Sequence, residues 1–125
     1  MKNKTNLKNK IIPLQKLNVY AEDKSVLDDM DNAIMISNLI LELFKIKKRP
    51  VLDFKNIKKV HPYWFVLCFY KYIIKLGSRV NEFIGVKNMT ETQLKILNIV
   101  AKECQKNKTS IIDGIQTSFL PQYEE

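Results

Sequence analysis

Apolar positions along this chain fall into brief runs that alternate with longer stretches of helical spacing. Residues 14–20 (LQKLNVY) form the first run and read as a strand. From Asn32 to Ile46, Ala33, Ile36, Ile40, Leu43 and Phe44 recur at the spacing of one helix face, and Ile34, Leu39, Leu41 and Ile46 widen the stripe. Asp31 or Asn32 is placed to cap this helix, and the basic residues Lys45 to Arg49 suit its C-terminal end. Pro50 is expected to stop it. Val51-Leu52-Asp53-Phe54 is too short for a helix and reads as a buried strand. Residues 62–76 (PYWFVLCFYKYIIKL) are apolar nearly all round, with proline at the first position and Gly77 just beyond the last. They predict a central, deeply packed helix. Val80 to Val86 reads as a further strand. Thr90 and Gln93 form a capping box for a last helix with Leu94, Leu97, Val100, Ala101 and Cys104 as its buried stripe.

Strand and helix alternate, which implies βαβ units with right-handed crossovers. The expected fold is α/β: a small mixed, largely parallel sheet of about four strands, with three helices mainly on one face. A flexible basic tail is expected over residues 1–13, the α/β domain over 14–108, and a C-terminal extension over 109–125. Within that extension Ser110-Ile111-Ile112 reads as an edge strand.

Charge alters this picture only locally. The chain has 125 residues and a net charge of +8, which raises nucleic acid as a partner. Yet 19 of the 21 basic residues are lysine, and only Arg49 and Arg79 offer the fork that reads phosphate in a bidentate manner. Lysine, asparagine and isoleucine are abundant together, which is the bias of an AT-rich genome. Two features stand out against that background. Residues 45–59 carry seven basic side chains with Asp53 as the only acid, and residues 22–31 carry five carboxylates against Lys24. No apolar run approaches the roughly 20 residues a membrane-spanning helix needs, and the lysine-rich N-terminus lacks a signal peptide's apolar region. A cytoplasmic protein without membrane association is the expectation.

Groups that carry catalysis are sparse. The chain has one histidine, no CxxC pair and no glycine-rich phosphate loop. Cys68 and Cys104 sit among apolar residues and read as buried reduced thiols. Asp53 and His61, with Ser78 as an imagined third partner, are the single acid-base combination on offer, and their spacing gives it no support. We therefore expect neither an enzyme nor a cofactor or metal.

The informative stretch is the junction DFKNIKKVHPYW, residues 53–64, which joins a buried strand to the start of the central helix. A helix N-terminus has free N–H groups that favour an anion. His61, Tyr63 and Trp64 place amphipathic rings there, beside Lys55, Lys58 and Lys59. These six are the candidate partner-binding residues, with a core Trp64 and a merely capping His61 as the structural alternative.

The segment VLDFKNIKKVHPYWFVLCFYKYI resembles STAS-like domains, the family of unknown function related to anti-sigma-factor antagonists. The flanking helix Asn32–Ile46, the strand Val80–Val86 and the last helix follow the same order, so the resemblance covers residues 14–106. It implies a non-catalytic protein-interaction module that works beside an ATPase or kinase-like partner. It also places Tyr63 about where anti-sigma antagonists carry a phosphorylated serine, so the usual phosphoserine switch is missing here. Helix Asn32–Ile46 is apolar on more than one face, which leaves a homodimer open. The competing reading is a basic nucleic-acid-binding or phage-encoded inhibitor protein.

Overall fold

The structure is a computed structural model that describes residues 7–106. Its elements run β1 (Lys8–Pro13), α1 (Leu14–Leu17), β2 (Val26–Leu27), α2 (Met30–Lys45), β3 (Lys48–Asp53), β4 (Lys59–Val60), α3 (Pro62–Leu76), α4 (Val80–Phe83), β5 (Gly85–Lys87) and α5 (Glu91–Lys106), with a 3-10 turn at Gly77–Arg79. All strand pairs among the described residues are parallel. One sheet has the order β1-β3-β5, and a second pairs β2 with β4. The α/β class with a small parallel sheet is thus as expected. Among the described residues it is built from five strands in two sheets, with two short helices added to the three long ones.

Both crossovers, β1 to β3 and β3 to β5, step across the sheet in the same direction, so connections of one hand carry α2 and α3 over the same face. The register shows which face that is. Ile12, Leu52 and Val86 lie in one row, and Ile12 and Leu52 join the core cluster with Ile36, Ile40, Trp64, Phe65 and Cys68. Ile11, Val51 and Gly85 form the opposite row. There Ile11 is exposed, and the Arg49 guanidinium lies across Gly85, holding Asn9 Oδ1 at 3.2 Å, the Asn81 carbonyl at 2.7 Å and the Glu82 carbonyl at 3.2 Å.

Several expectations are corrected. The basic tail does not extend to residue 13, because Lys8–Pro13 is β1; residues 14–17, expected as part of a strand, are helical instead. β1 carries no apolar alternation because, among the described residues, it lies at the sheet edge with Ile12 as its one buried side chain. Lysines on such an edge discourage pairing with other chains. Asp29, not Asp31 or Asn32, caps α2, its carboxylate accepting from the Asn32 N–H at 2.9 Å. Residues 80–83 are helical, since Val80 and Phe83 are spaced to lay one face on the core, and the strand begins only at Gly85. Leu94, placed in the buried stripe of α5, is exposed, whereas Gln93, Val100 and Cys104 are buried. The proposed extension at 109–125, with its Ser110-Ile111-Ile112 strand, lies outside the described residues.

Pro50 does not end α2; the turn is made at Lys47, which has a φ of 63°. Pro50 instead lies in the central strand, where a missing N–H is normally costly. The Phe54 N–H donates to the Lys87 carbonyl at 2.9 Å, so Phe54, Leu52 and Pro50 point their backbone groups toward β5. Pairing with β5 starts at Val51, and the missing donor therefore falls where β5 has not begun.

α3 runs as expected and ends on Gly77, at φ 57° and ψ −131°, a backbone conformation open almost solely to glycine. A Cβ there would meet no atom within 4 Å. Gly77→Ala therefore isolates the backbone cost, and we expect a loss of about 1–3 kcal/mol in urea unfolding. An unchanged midpoint would show that this turn relaxes freely.

Candidate functional site

The chain leaves the core at Phe54, turns through Asn56 at φ 65°, and returns as β4 directly before α3. The Ser25 carbonyl accepts from the Lys58 N–H at 2.7 Å and the Lys59 N–H at 3.2 Å, and the His61 N–H donates to the Leu27 carbonyl at 2.9 Å. These bonds hold Lys58, Lys59 and His61 in one line. α5 starts beside them, because it leaves the C-terminal end of β5 as α3 leaves that of β4. A cleft of about 390 Å³ results, with Lys58, Lys59 and His61 on one side and Thr90, Thr92 and Gln93 on the other.

The six residues singled out from the sequence separate into three groups. Lys58, Lys59 and His61 share this cleft, whereas Tyr63, two residues on from His61, does not line it and is half-buried against the core. Trp64 is corrected to a core residue: it is 1% exposed, and its Nε1–H donates to Asn32 Oδ1 at 3.0 Å. Lys55 lies apart, beside Asp53, Gln15 and Asn56 in a smaller cleft at the end of β1 and β3.

The N–H groups read as free at the start of α3 are occupied instead, as the capping alternative for His61 has it. His61 Nδ1 accepts from the Tyr63 N–H at 3.0 Å and the His61 carbonyl from the Trp64 N–H at 2.9 Å, so the chain itself occupies these donors. Across the cleft a capping box occupies part of the start of α5. Thr90 Oγ1 accepts from the Gln93 N–H at 3.1 Å, Gln93 Oε1 accepts from the Thr90 N–H at 3.0 Å, and Gln93 Nε2 donates to the Ile57 carbonyl at 2.9 Å. The capping box was readable from sequence. That it ties α5 to the loop before β4, and brings Thr90 and Thr92 to His61, was not, since it depends on two helices leaving neighbouring strands.

Asp53 and His61 are not assembled as an acid-base pair. Asp53 Oδ1 accepts from Asn88 Nδ2 at 2.7 Å and from the Lys55 N–H at 3.0 Å, and the Asn88 bond chiefly holds its carboxyl below the usual range. It clips β3 to the loop before α5, in a different cleft from His61. Ser78 follows the far end of α3, about 22 Å from the helix start at 1.5 Å per residue. Burial pushes the Cys68 thiol up, and pushes that of Cys104 up to about 11 with Glu103 adding to it, so neither offers a thiolate. The acidic stretch is partly structural: Asp29 caps α2, and Asp23 accepts from Ser25 Oγ at 2.6 Å and the Ser25 N–H at 2.9 Å, bonds that lower its pKa with help from Lys58. Among the described residues no histidine, cysteine and carboxylate groups gather as a metal site, and no helix is long and apolar enough to cross a membrane.

Comparison with family models, curated proteins and solved structures finds no match for this chain.

Proposed function

We propose that this chain is a non-catalytic, STAS-like interaction module that docks a protein partner at the start of α3. The observation that carries this reading is the cluster Lys58, Lys59 and His61, whose backbone N–H groups are bonded to the Ser25 and Leu27 carbonyls and whose side chains share a cleft with Thr90 and Thr92. Because the Tyr63 and Trp64 N–H groups at the start of α3 are internally bonded, recognition there falls to side chains. Two exposed lysines with a histidine and threonines, against the single carboxylate of Asp28 in the cleft, suit a polar, acidic protein surface, and Tyr63 supplies an amphipathic ring two residues on from His61. An ATPase or kinase-like partner is the class that the sequence resemblance suggests.

The test is recovery of the partner from native cells with the tagged full-length chain, after nuclease treatment. Wild type retains a protein that Lys58→Glu/Lys59→Glu loses by at least about tenfold, while the variant keeps its unfolding midpoint. Equal retention by wild type and variant would overturn the docking site. Recovery abolished by nuclease, with binding that weakens steeply as salt rises, would favour the nucleic-acid reading instead.

A further inference from the structure

We propose that the cleft between the C-terminal ends of α2 and α3 binds a free single-chain aliphatic carboxylate, its tail against Phe44 and its carboxylate at Lys47 and Lys75. The cleft has a volume of about 440 Å³, within the range of about 300–1,000 Å³ usual for small-molecule sites. Its floor is apolar. Phe44 stands edge-to-face on Tyr72, at 5.6 Å between centroids, and on Phe83, at 6.2 Å. The Tyr72 hydroxyl donates to the Ser37 carbonyl at 2.6 Å, so its polar end is engaged inside the fold. Leu41, Phe44, Leu76 and Phe83 are half-buried, which leaves apolar surface for a tail to cover.

Charge selects the ligand. Among the described residues, the charged side chains lining the cleft are those of Lys47 and Lys75, both exposed, and no carboxylate lines it. The acids on adjacent turns are directed to other cations: Glu42 meets Lys45 at 3.3 Å, and Glu82 meets Arg79 at 3.3 Å. An apolar cleft with two ammonium groups in its lining is complementary to a molecule with an apolar tail and one anionic end. The backbone points to Lys47 in particular. It follows the C-cap Ile46 at φ 63°, its N–H donating to the Phe44 carbonyl at 3.0 Å, and helices most often carry glycine at this position. Lysine there bears the cost of a left-handed conformation and places an amine in the lining. A cation also offsets the negative end of a helix dipole, but Lys45 already does this in the last turn of α2. The cleft lies at the opposite end of α3 from Lys58, Lys59 and His61, so its occupancy is independent of the partner docking proposed there.

Decanoate, titrated into the full-length chain below its micelle-forming concentration, tests the proposal, with decylammonium (same tail, opposite charge) and acetate (same head, no tail) as controls. Calorimetry should show a single saturable site for decanoate, affinity at least about tenfold weaker for decylammonium, and no binding of acetate. The methyl resonances of Leu41 and Leu76 should shift with decanoate, while those of Leu94 and Leu97, which line a separate groove, stay in place. Lys47→Gly suits the backbone at φ 63°, so its unfolding midpoint should hold or rise while decanoate affinity falls about tenfold. Failure of decanoate to saturate the wild-type chain would overturn the proposal without recourse to any variant. So would equal binding of decylammonium, or shifts centred on Leu94 and Leu97. Undiminished affinity in Lys47→Gly would reduce Lys47 to a helix-end cation and overturn it equally.

Discussion

Trp64→Ala is expected to cost about 3–5 kcal/mol, a large share of the roughly 5–15 kcal/mol that stabilises a domain of this size. Trp64 stands at 1% exposure in edge-to-face contact with Phe54, at 6.4 Å between centroids, and with Phe65, at 5.9 Å. Its removal opens a cavity between the sheet and α2. It also strips a partner from Asn32, which is itself 3% exposed. Asn32 connects three parts of the fold: Oδ1 accepts from Trp64 Nε1, Nδ2 donates to the Leu17 carbonyl at 3.0 Å, and its N–H is held by the Asp29 cap. Trp64→Phe keeps most of the ring packing and isolates the orphaned Oδ1, for an expected loss of about 1–3 kcal/mol. In the Asn32→Ala background the same Trp64→Phe change should cost less, with a coupling of about 1 kcal/mol. Urea unfolding followed by far-ultraviolet circular dichroism measures every member of this cycle, since the fluorescence of the single tryptophan disappears with it. Additive effects would show that the Trp64–Asn32 bond carries no net stability.

Gln93→Ala should cost about 2–3 kcal/mol, from a lost cap and a buried Ile57 carbonyl left without its donor. Gln93→Glu separates the two contributions. Glutamate preserves the capping box, yet its carboxylate cannot donate to the Ile57 carbonyl and is buried where Gln93 is 2% exposed. Both effects raise the acid's pKa in the folded state. Below the unfolded value of about 4.3 the side chain is protonated in both states, and the variant approaches wild-type stability. As pH rises from there through the folded pKa, the deficit grows and then levels off. Unfolding midpoints of wild type and variant should therefore diverge from acid toward neutral pH. A pH-independent difference would mean that the introduced carboxylate leaves the Ile57 carbonyl and turns to solvent.

These two residues also mark how far the sequence can be read. The helix spanning Pro62–Leu76 was legible at both ends because proline, histidine and glycine have local, backbone-level reasons to sit there. The Thr90–Gln93 capping box was legible for the same reason. Asn32 looked like a cap because caps are what asparagine does at a helix start, and only packing against Trp64 makes it a buried connector. β1 was hidden because a strand at the sheet edge need bury just one residue, and a lysine-rich stretch with one buried isoleucine has no pattern to find.

The cluster at the start of α3 divides along the same line. Spacing alone grouped His61, Tyr63, Trp64, Lys55, Lys58 and Lys59, since they are neighbours in the chain. Their separation into a cleft wall, a core ring and a distant lysine depends on where the chain turns at Asn56 and on which side of α3 meets the sheet. Local periodicity and capping chemistry act within a few residues, so the amino-acid sequence determined the α/β class and the helix limits at Pro62–Leu76. Strand order, the partners of Asn32 and Gln93, and the meeting of Lys58, Lys59 and His61 with Thr90 and Thr92 join residues tens of positions apart. Only tertiary packing decides those, because the free energy that selects them comes from burying faces of different elements against one another.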